Sequence, residues 1–329
     1  MDAPTVSQSH SVLEQMKEFR SQIPKEALAE IERPDPRRSI AWIAGDWLIV
    51  LAAYTLVLYA RSIPSILTAM VLVAWAQRGL SNLLHDCSHF NLFRKRSVNM
   101  AVGFSLLATP LMSSLQSYRK DHTAHHNNLG SHDDPDHGLR NETALRHYRE
   151  GKFDHRDLWS LFIYDMQDLA AFRRTLLGST FHLPAKEFLP FAAWWLAVSL
   201  ATGFMEGSFI GWRFLLLWHT TRCTLTYACY VFRELVDHSG LPSESILAFT
   251  RTSPSGRWLQ FFLQPHDDNY HLLHHLLPRV PMSRFAEAHE VLMQTVESYR
   301  ANFYDSYLFG SNPLLVTKLH VNHSAFKSD

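Results

Sequence analysis

Long apolar stretches separated by short polar ones organise most of this chain. From Ile40 to Ala60 nearly every residue is apolar, and beyond the corner Arg61-Ser62-Ile63-Pro64 a second run continues to about Leu84. Two further runs, Phe188 to Met205 and Phe209 to Phe232, are joined by a short turn. Each meets the roughly 20 residues needed to cross a bilayer core, so the pattern predicts four spanning helices. Val98 to Leu115 is also apolar, but Pro110 breaks it and basic clusters flank it. That combination predicts a hairpin that dips into the membrane and returns, its irregular backbone buried by neighbouring helices.

Two other segments carry helical rather than continuous apolar spacing. Leu158, Phe162, Leu169, Phe172 and Leu176 share a face within Leu158 to Leu177, expected in the interface plane or, equally, in a cytosolic cap. Phe285, Leu292, Val296 and Tyr299 do the same within Ser283 to Tyr299. Residues 1–38 are polar and lack the short apolar core and cleavage site of a signal peptide. The expected organisation is a cytoplasmic tail over 1–38, one membrane domain over 39–300 and a C-terminal tail over 301–329. The expected fold class is all-α: an integral membrane four-helix bundle with a re-entrant hairpin and a cytoplasmic helical cap.

Charge sets the orientation. The turn between the third and fourth runs has no Lys or Arg, whereas the N-terminal tail, Arg94-Lys95-Arg96 and Arg119-Lys120 are basic. The positive-inside rule then puts both termini in the cytoplasm, with a bacterial inner membrane as the expected location. Lys and Arg together number 31, as do Asp and Glu, so no strong field points to a nucleic-acid partner. Three cysteines without CxxC spacing exclude a disulfide scaffold and a cysteine-held zinc or iron-sulfur site.

The anomaly is 20 histidines, the commonest metal-ligand side chain. Three clusters stand out: His85 with His89, His122 with His125 and His126, and His271 with His274 and His275. On a helix, HxxxH presents two imidazoles on one face and HxxHH presents three. The first cluster ends the second run, the second follows the hairpin and the third follows the fourth run, so all three are expected on the cytoplasmic side. Glu234 and His238, one turn apart at the end of the fourth run, add a ninth imidazole and a carboxylate. Nine nitrogens exceed the four ligands of a tetrahedral ion, which implies two ions. Imidazole alone does not choose the metal, but the ligand count favours iron in five- or six-coordinate sites.

An acid lies near every cluster: Asp86, Asp121, Asp237, Asp267 and Asp268. Some are expected to accept the free ring N–H of a ligand and fix its tautomer, and His266 and His137 are candidates for the same supporting layer. Arg222, Thr226, Tyr230, Glu234 and His238 form a ladder at spacing four. Thr226 and Tyr230 are expected to line a substrate pocket. Arg222, some 24 Å of helix from His238, is expected to neutralise a buried acid such as Asp46 or Glu206. Trp194, Trp195 and Trp218 read as packing or interfacial residues.

The sequences HDCSHFNLF (His85 to Phe93), HTAHHNNLGSHDDPD (His122 to Asp136) and DNYHLLHHLLP, with the order of apolar runs from about residue 40 to 295, resemble the membrane fatty acid desaturase family. The resemblance implies that His85, His89, His122, His125, His126, His271, His274 and His275, with His238 as the ninth, bind two irons. It also implies an O2-dependent reaction fed by an external haem or iron-sulfur electron carrier, on a hydrophobic or amphiphilic substrate drawn from a fatty acyl chain, a membrane lipid or a small metabolite. Glu234 stands where some members have an Asn holding a metal-bound water, and so is a candidate direct ligand. Three rivals exist. Hydroxylation by the same diiron centre differs only in product. A metalloprotease wants HExxH, where this chain has Asp86 beside His85. A metal transporter wants polar groups through the bilayer.

Overall fold

The computed structural model describes residues 11–131, 133–136, 162–163, 165–181, 183–238, 245–253 and 264–302. Those residues are mostly helical, with no strand among them. Helix α1 (Val12–Ser21) opens on a capping box between Ser11 and Glu14, and α2 (Lys25–Ile31) follows after Pro24. The side chain of Asp35 caps α3 (Pro36–Tyr59), and that of Ser62 caps α4 (Ile63–Ser88). These two pack along their length through small residues such as Ala53, Ala69 and Ala76, all fully buried. Next come α5 (Arg96–Val102), which runs into a π turn at Gly103–Ala108, and α6 (Leu115–Asn127), capped by Ser114. Then follow α7 (Leu169–Phe181) and α8 (Ala185–Glu206), which ends on Gly207 in the left-handed region.

Among the described residues, three helices are long and apolar enough to cross a membrane: the one ending at Tyr59, Ile63–Ser88 and Ala185–Glu206. The fourth apolar run forms α9 (Trp212–Thr221), a π turn at Arg222–Thr226 and α10 (Tyr227–Asp237) without a break. Gln77 of α4 braces the π turn: its amide donates to the carbonyl of Trp218 (3.0 Å), which also accepts from the Arg222 backbone, and its oxygen accepts from the Thr226 hydroxyl (2.7 Å).

The segment around Pro110 leaves the helix in an irregular turn, with Met112 at φ 55°. Three indoles serve its carbonyls: Trp47 donates to Leu106 (3.2 Å), Trp195 to Thr109 (3.2 Å) and Trp218 to Pro110 (2.9 Å). Trp195 and Trp218, read from the sequence as packing residues, thus also supply the donors that an irregular apolar turn lacks in the absence of water.

A second core holds the histidine-bearing end together. Short helices α11 (Ile246–Phe249) and α12 (His271–Leu276), then α13 (Phe285–Thr295) and α14 (Glu297–Arg300), pack against α1 and α2. Phe285, Leu292, Val296 and Tyr299 are all buried there, as their spacing predicts, although the helix breaks at Val296. The polar segment 1–38 contributes more than a tail: Phe19, Ile23, Leu28 and Ile31 are buried in this core. Phe162, Phe172 and Leu176 pack on Tyr227, Val231 and Leu235 of α10. Leu158 and His137 lie outside the described residues, as does nearly all of 301–329.

Candidate metal centre

Each histidine cluster occupies one element. His85 lies in the last turn of α4, and His89 is its C-cap; Phe90 then turns the chain sharply at φ 62°. His122, His125 and His126 lie on α6, His238 caps α10, and His271, His274 and His275 fill α12. These four segments converge. His85, His89, His122, His126 and His274 form one close group of potential metal ligands, and His125, His238 and His275 form another. His271 belongs with the second, its Nε2 lying 2.8 Å from that of His238 and 3.0 Å from that of His275. The groups adjoin, with the His126 and His275 rings 4.6 Å apart between centroids.

Nitrogen spacing tests whether the groups fit a metal. Within the first group, Nε2 of His122 is 2.9 Å from that of His89 and 3.0 Å from that of His126, which is itself 2.8 Å from that of His274. Two nitrogens held about 2.1 Å from one ion at right angles sit about 3 Å apart. A chain of N–H···N bonds accounts for these contacts equally well, but leaves His85 unexplained: both of its ring nitrogens are buried without a hydrogen-bond partner. A buried orphan polar group is costly unless something absent from the polypeptide completes it. Burial, and then repulsion from neighbouring imidazoles, pushes His122, His126, His274 and His275 well below the ordinary histidine range, and burial pushes His89 down to about 4. Neutral imidazoles with free lone pairs are what a cation needs.

The supporting layer differs from the one the sequence suggests. Nδ1 of His125 is hydrogen-bonded to Oδ1 of Asp134 (2.8 Å), with Asp136 3.6 Å away, and Nδ1 of His238 to the carbonyl of Phe249 (3.1 Å). Burial raises the Asp134 carboxyl, but bonds from His125 and the backbone N–H groups of Gly130 and Asp136 outweigh it and hold the group below the usual range. Asp134 follows the second cluster closely, and the run Asp133-Asp134-Pro135-Asp136 was its signal. The five acids beside the clusters go elsewhere in the main. Asp86 accepts from the Met282 backbone (3.2 Å), Asp267 binds Arg38 (3.1 Å), and Asp268 binds Arg78 (2.8 Å) and Arg233 (2.9 Å). Asp237 lies 3.2 Å from Arg233 and 3.8 Å from His271, and Asp121 lines a cavity beside His122. His266 is turned to Asp46 (2.9 Å) and stacks on Trp42.

That cavity, about 500 Å³, is bordered by His85, His122, His125, His238, His271 and Glu234, so both groups open onto it. Tyr230 lines it too, whereas Thr226 faces Gln77. Glu234 Oε1 is 3.4 Å from Arg233. Arg222 corrects one expectation. Asp46 pairs with His266, and Glu206 accepts from Tyr54 (2.8 Å) and the backbone of Arg213 and Phe214, so neither acid is its partner. Arg222 donates instead to the carbonyl of Leu176.

The fatty acid desaturase model matches residues 61–307, a span holding all nine imidazoles. This chain belongs to the fatty acid desaturase family. It is 28% identical over 295 residues to a dihydrorhizobitoxine desaturase of Bradyrhizobium elkanii, covering 84% of this chain and 81% of the relative. It is also 30% identical over 102 residues to an acyl-lipid (9+3)-(E)-desaturase of Dimorphotheca sinuata, covering 29% and 27% of the two chains. Membership makes the chain an oxidoreductase by class, and its three apolar helices agree with association with a membrane.

Proposed function

We propose that this desaturase introduces a C=C bond into an aliphatic substrate at two iron ions held by the nine converging imidazoles. The observation that carries the reading is their division into adjacent groups of five and four, with both ring nitrogens of His85 buried and unpartnered. When bound, the iron pair supplies the oxidising power, taken from one O2 and two electrons. Two hydrogens leave adjacent carbons, two protons are taken up, and two waters result.

The chain's own part is positioning and exclusion. His85, His89, His122, His126 and His274 form one donor set; His125, His238, His271 and His275 form the other, with Glu234 a further ligand at the cavity wall. Asp134 and the Phe249 carbonyl orient the rings of His125 and His238. The cavity brings the substrate against both sets, and Tyr118, stacked on His122, closes one side.

In this reading four helices span the bilayer, the segment around Pro110 is a re-entrant hairpin, and the cap of α1, α2 and α11 to α14 lies in the cytoplasm. Electrons arrive there from a haem or iron-sulfur carrier. One relative is named for dihydrorhizobitoxine and the other for acyl lipids, so the family supports both small and lipid-borne substrates. His125→Ala and His274→Ala are expected to leave protein in the membrane, lower its iron content and abolish turnover; full iron and turnover in both variants would refute the reading. Mass spectrometry of lipids and small metabolites from cells with and without the protein identifies the product, and an alcohol in place of an alkene assigns a hydroxylase.

A further inference from the structure

The ladder along α9 and α10 contains a cation for which the described residues offer no counter-charge. Arg222 is 5% exposed, its Nη2 donates to the carbonyl of Leu176 (2.6 Å), and its Nε is buried without a hydrogen-bond partner. The other arginines on the cavity wall are matched: Arg78 and Arg233 both bond to Asp268. A guanidinium stays charged in any protein environment, and a buried charge without a partner is strongly destabilising. Packing α7 against this helix needs no such group, since Phe172, Leu176 and Tyr227 already do so.

Two further observations give Arg222 a direction. It lines the same cavity as His85, His122 and His238. It is also the first residue of the π turn, where a widened ladder re-aims side chains and which recurs at functional sites.

We propose that Arg222 anchors a carboxylate at one end of the substrate, so that the enzyme acts on a free acid rather than on a thioester or a lipid ester. The proposal rests on the desaturase reading above. A planar guanidinium pairs with a carboxylate through two parallel hydrogen bonds, which fixes orientation as well as charge. One cation balances one carboxylate, whereas a phosphate monoester carries nearly two charges at neutral pH and would be left half-compensated. Asp165 and Asp168 border the same cavity but form no ion pair with Arg222, whose side chain bonds the Leu176 carbonyl. From Arg222 to Glu234 the helix rises about 18 Å, which places the reacting carbons well down the molecule from its charged end.

The test uses the full-length, iron-loaded protein in lipid nanodiscs and calorimetric titration with hexanoate, octanoate and decanoate. Methyl esters and alkyl phosphates of the same lengths are the comparison arms. At least one carboxylate is expected to bind roughly tenfold or more tightly than its ester and its phosphate. Arg222→Gln is expected to erase that preference and Arg222→Lys to keep part of it, with iron content unchanged in both. Acid and ester binding alike to the unmodified protein, phosphate outcompeting carboxylate, or a preference that survives Arg222→Gln overturns the anchor. If Arg222→Gln does not fold, the acid-to-ester ratio of the unmodified protein decides alone. Once a substrate is in hand, loss of the anchor should raise KM more than it lowers kcat. Neither binding result depends on turnover, so an alkene made without carboxylate selectivity sinks only the anchor. Carboxylate selectivity without any alkene or alcohol sinks only the desaturase assignment.

Discussion

Asp134 holds His125 through a 2.8 Å hydrogen bond from the ring Nδ1 to Oδ1. With that proton committed to the carboxylate, Nε2 keeps its lone pair free, and the ring is fixed in azimuth as well as tautomer. The same carboxylate accepts from the Gly130 and Asp136 backbone, so it is itself rigidly placed. Asp134→Asn is expected to weaken metal binding by about 10- to 100-fold, the usual range for such outer partners. Asp136→Asn, at 3.6 Å and 46% exposed, is expected to have a much smaller effect. Iron retained after dialysis against a graded series of chelator concentrations measures both, and equal loss in the two variants would remove the special role of Asp134.

The nine imidazoles were legible because their spacing is a local, helical signal that survives without any knowledge of the fold. Asp134 was harder to pick out, since Asp133, Asp134 and Asp136 stand together just after α6 and only tertiary packing chooses among them. The expectation for Arg222 failed for a similar reason. Helix rise gives distances along one axis, but says nothing of which face of α4 or α7 arrives beside it, nor of a π turn that starts at the residue itself. The apolar runs gave the helices, whereas the buried faces of α1 and α2 escaped notice because their apolar residues are few and thinly spread in a charged segment.

His289 lies on α13, its Nδ1 within 2.8 Å of the hydroxyl of Tyr299 on α14, and burial lowers its pKa to about 4. In the unfolded chain the same ring titrates near 6.5. The unfolded state therefore takes up a proton first as the pH falls. Stability owed to neutral His289 is complete above about pH 6.5 and erodes as the pH drops towards about 4. The heat-unfolding midpoint of the solubilised, metal-loaded protein should fall more between about pH 7.5 and pH 5 than that of His289→Gln. Parallel curves for the two proteins contradict the prediction.

Trp218 donates its indole N–H to the buried carbonyl of Pro110 while its ring stacks on Trp47 at 5.9 Å. Trp218→Phe keeps an aromatic face for Trp47 but strands the carbonyl at the tip of the turn. An unsatisfied buried acceptor costs about 1–3 kcal/mol, so thermal stability is expected to fall. Iron content should fall as well, because the turn leads into α6 with its three histidines and Trp218 stands on the helix that continues to His238. A variant as stable as the parent would mean that the turn finds another donor.

Gly79 lies where α3, α4 and the segment before His271 meet. A Cβ there would fall 2.5 and 2.6 Å from the Asp46 carboxylate oxygens and 2.7 Å from Nε2 of His266. Asp46 and His266 are themselves paired at 2.9 Å and buried, so neither can give way without breaking that bond. Overpacking at such a site costs about 1–3 kcal/mol. The displacement should also travel. His266 is followed by Asp267 and Asp268, which bind Arg38, Arg78 and Arg233, and then by α12 with three of the nine imidazoles. Gly79→Ala is therefore expected to lower both the unfolding midpoint and the iron content. Gly45 provides the control, since a Cβ there meets nothing within 4 Å. Gly45→Ala should be neutral, or stabilising by up to about 1 kcal/mol through helix propensity. Iron content that falls in neither variant, with stability lost only in Gly79→Ala, would confine the Asp46–His266 pair to packing and detach it from the placement of α12.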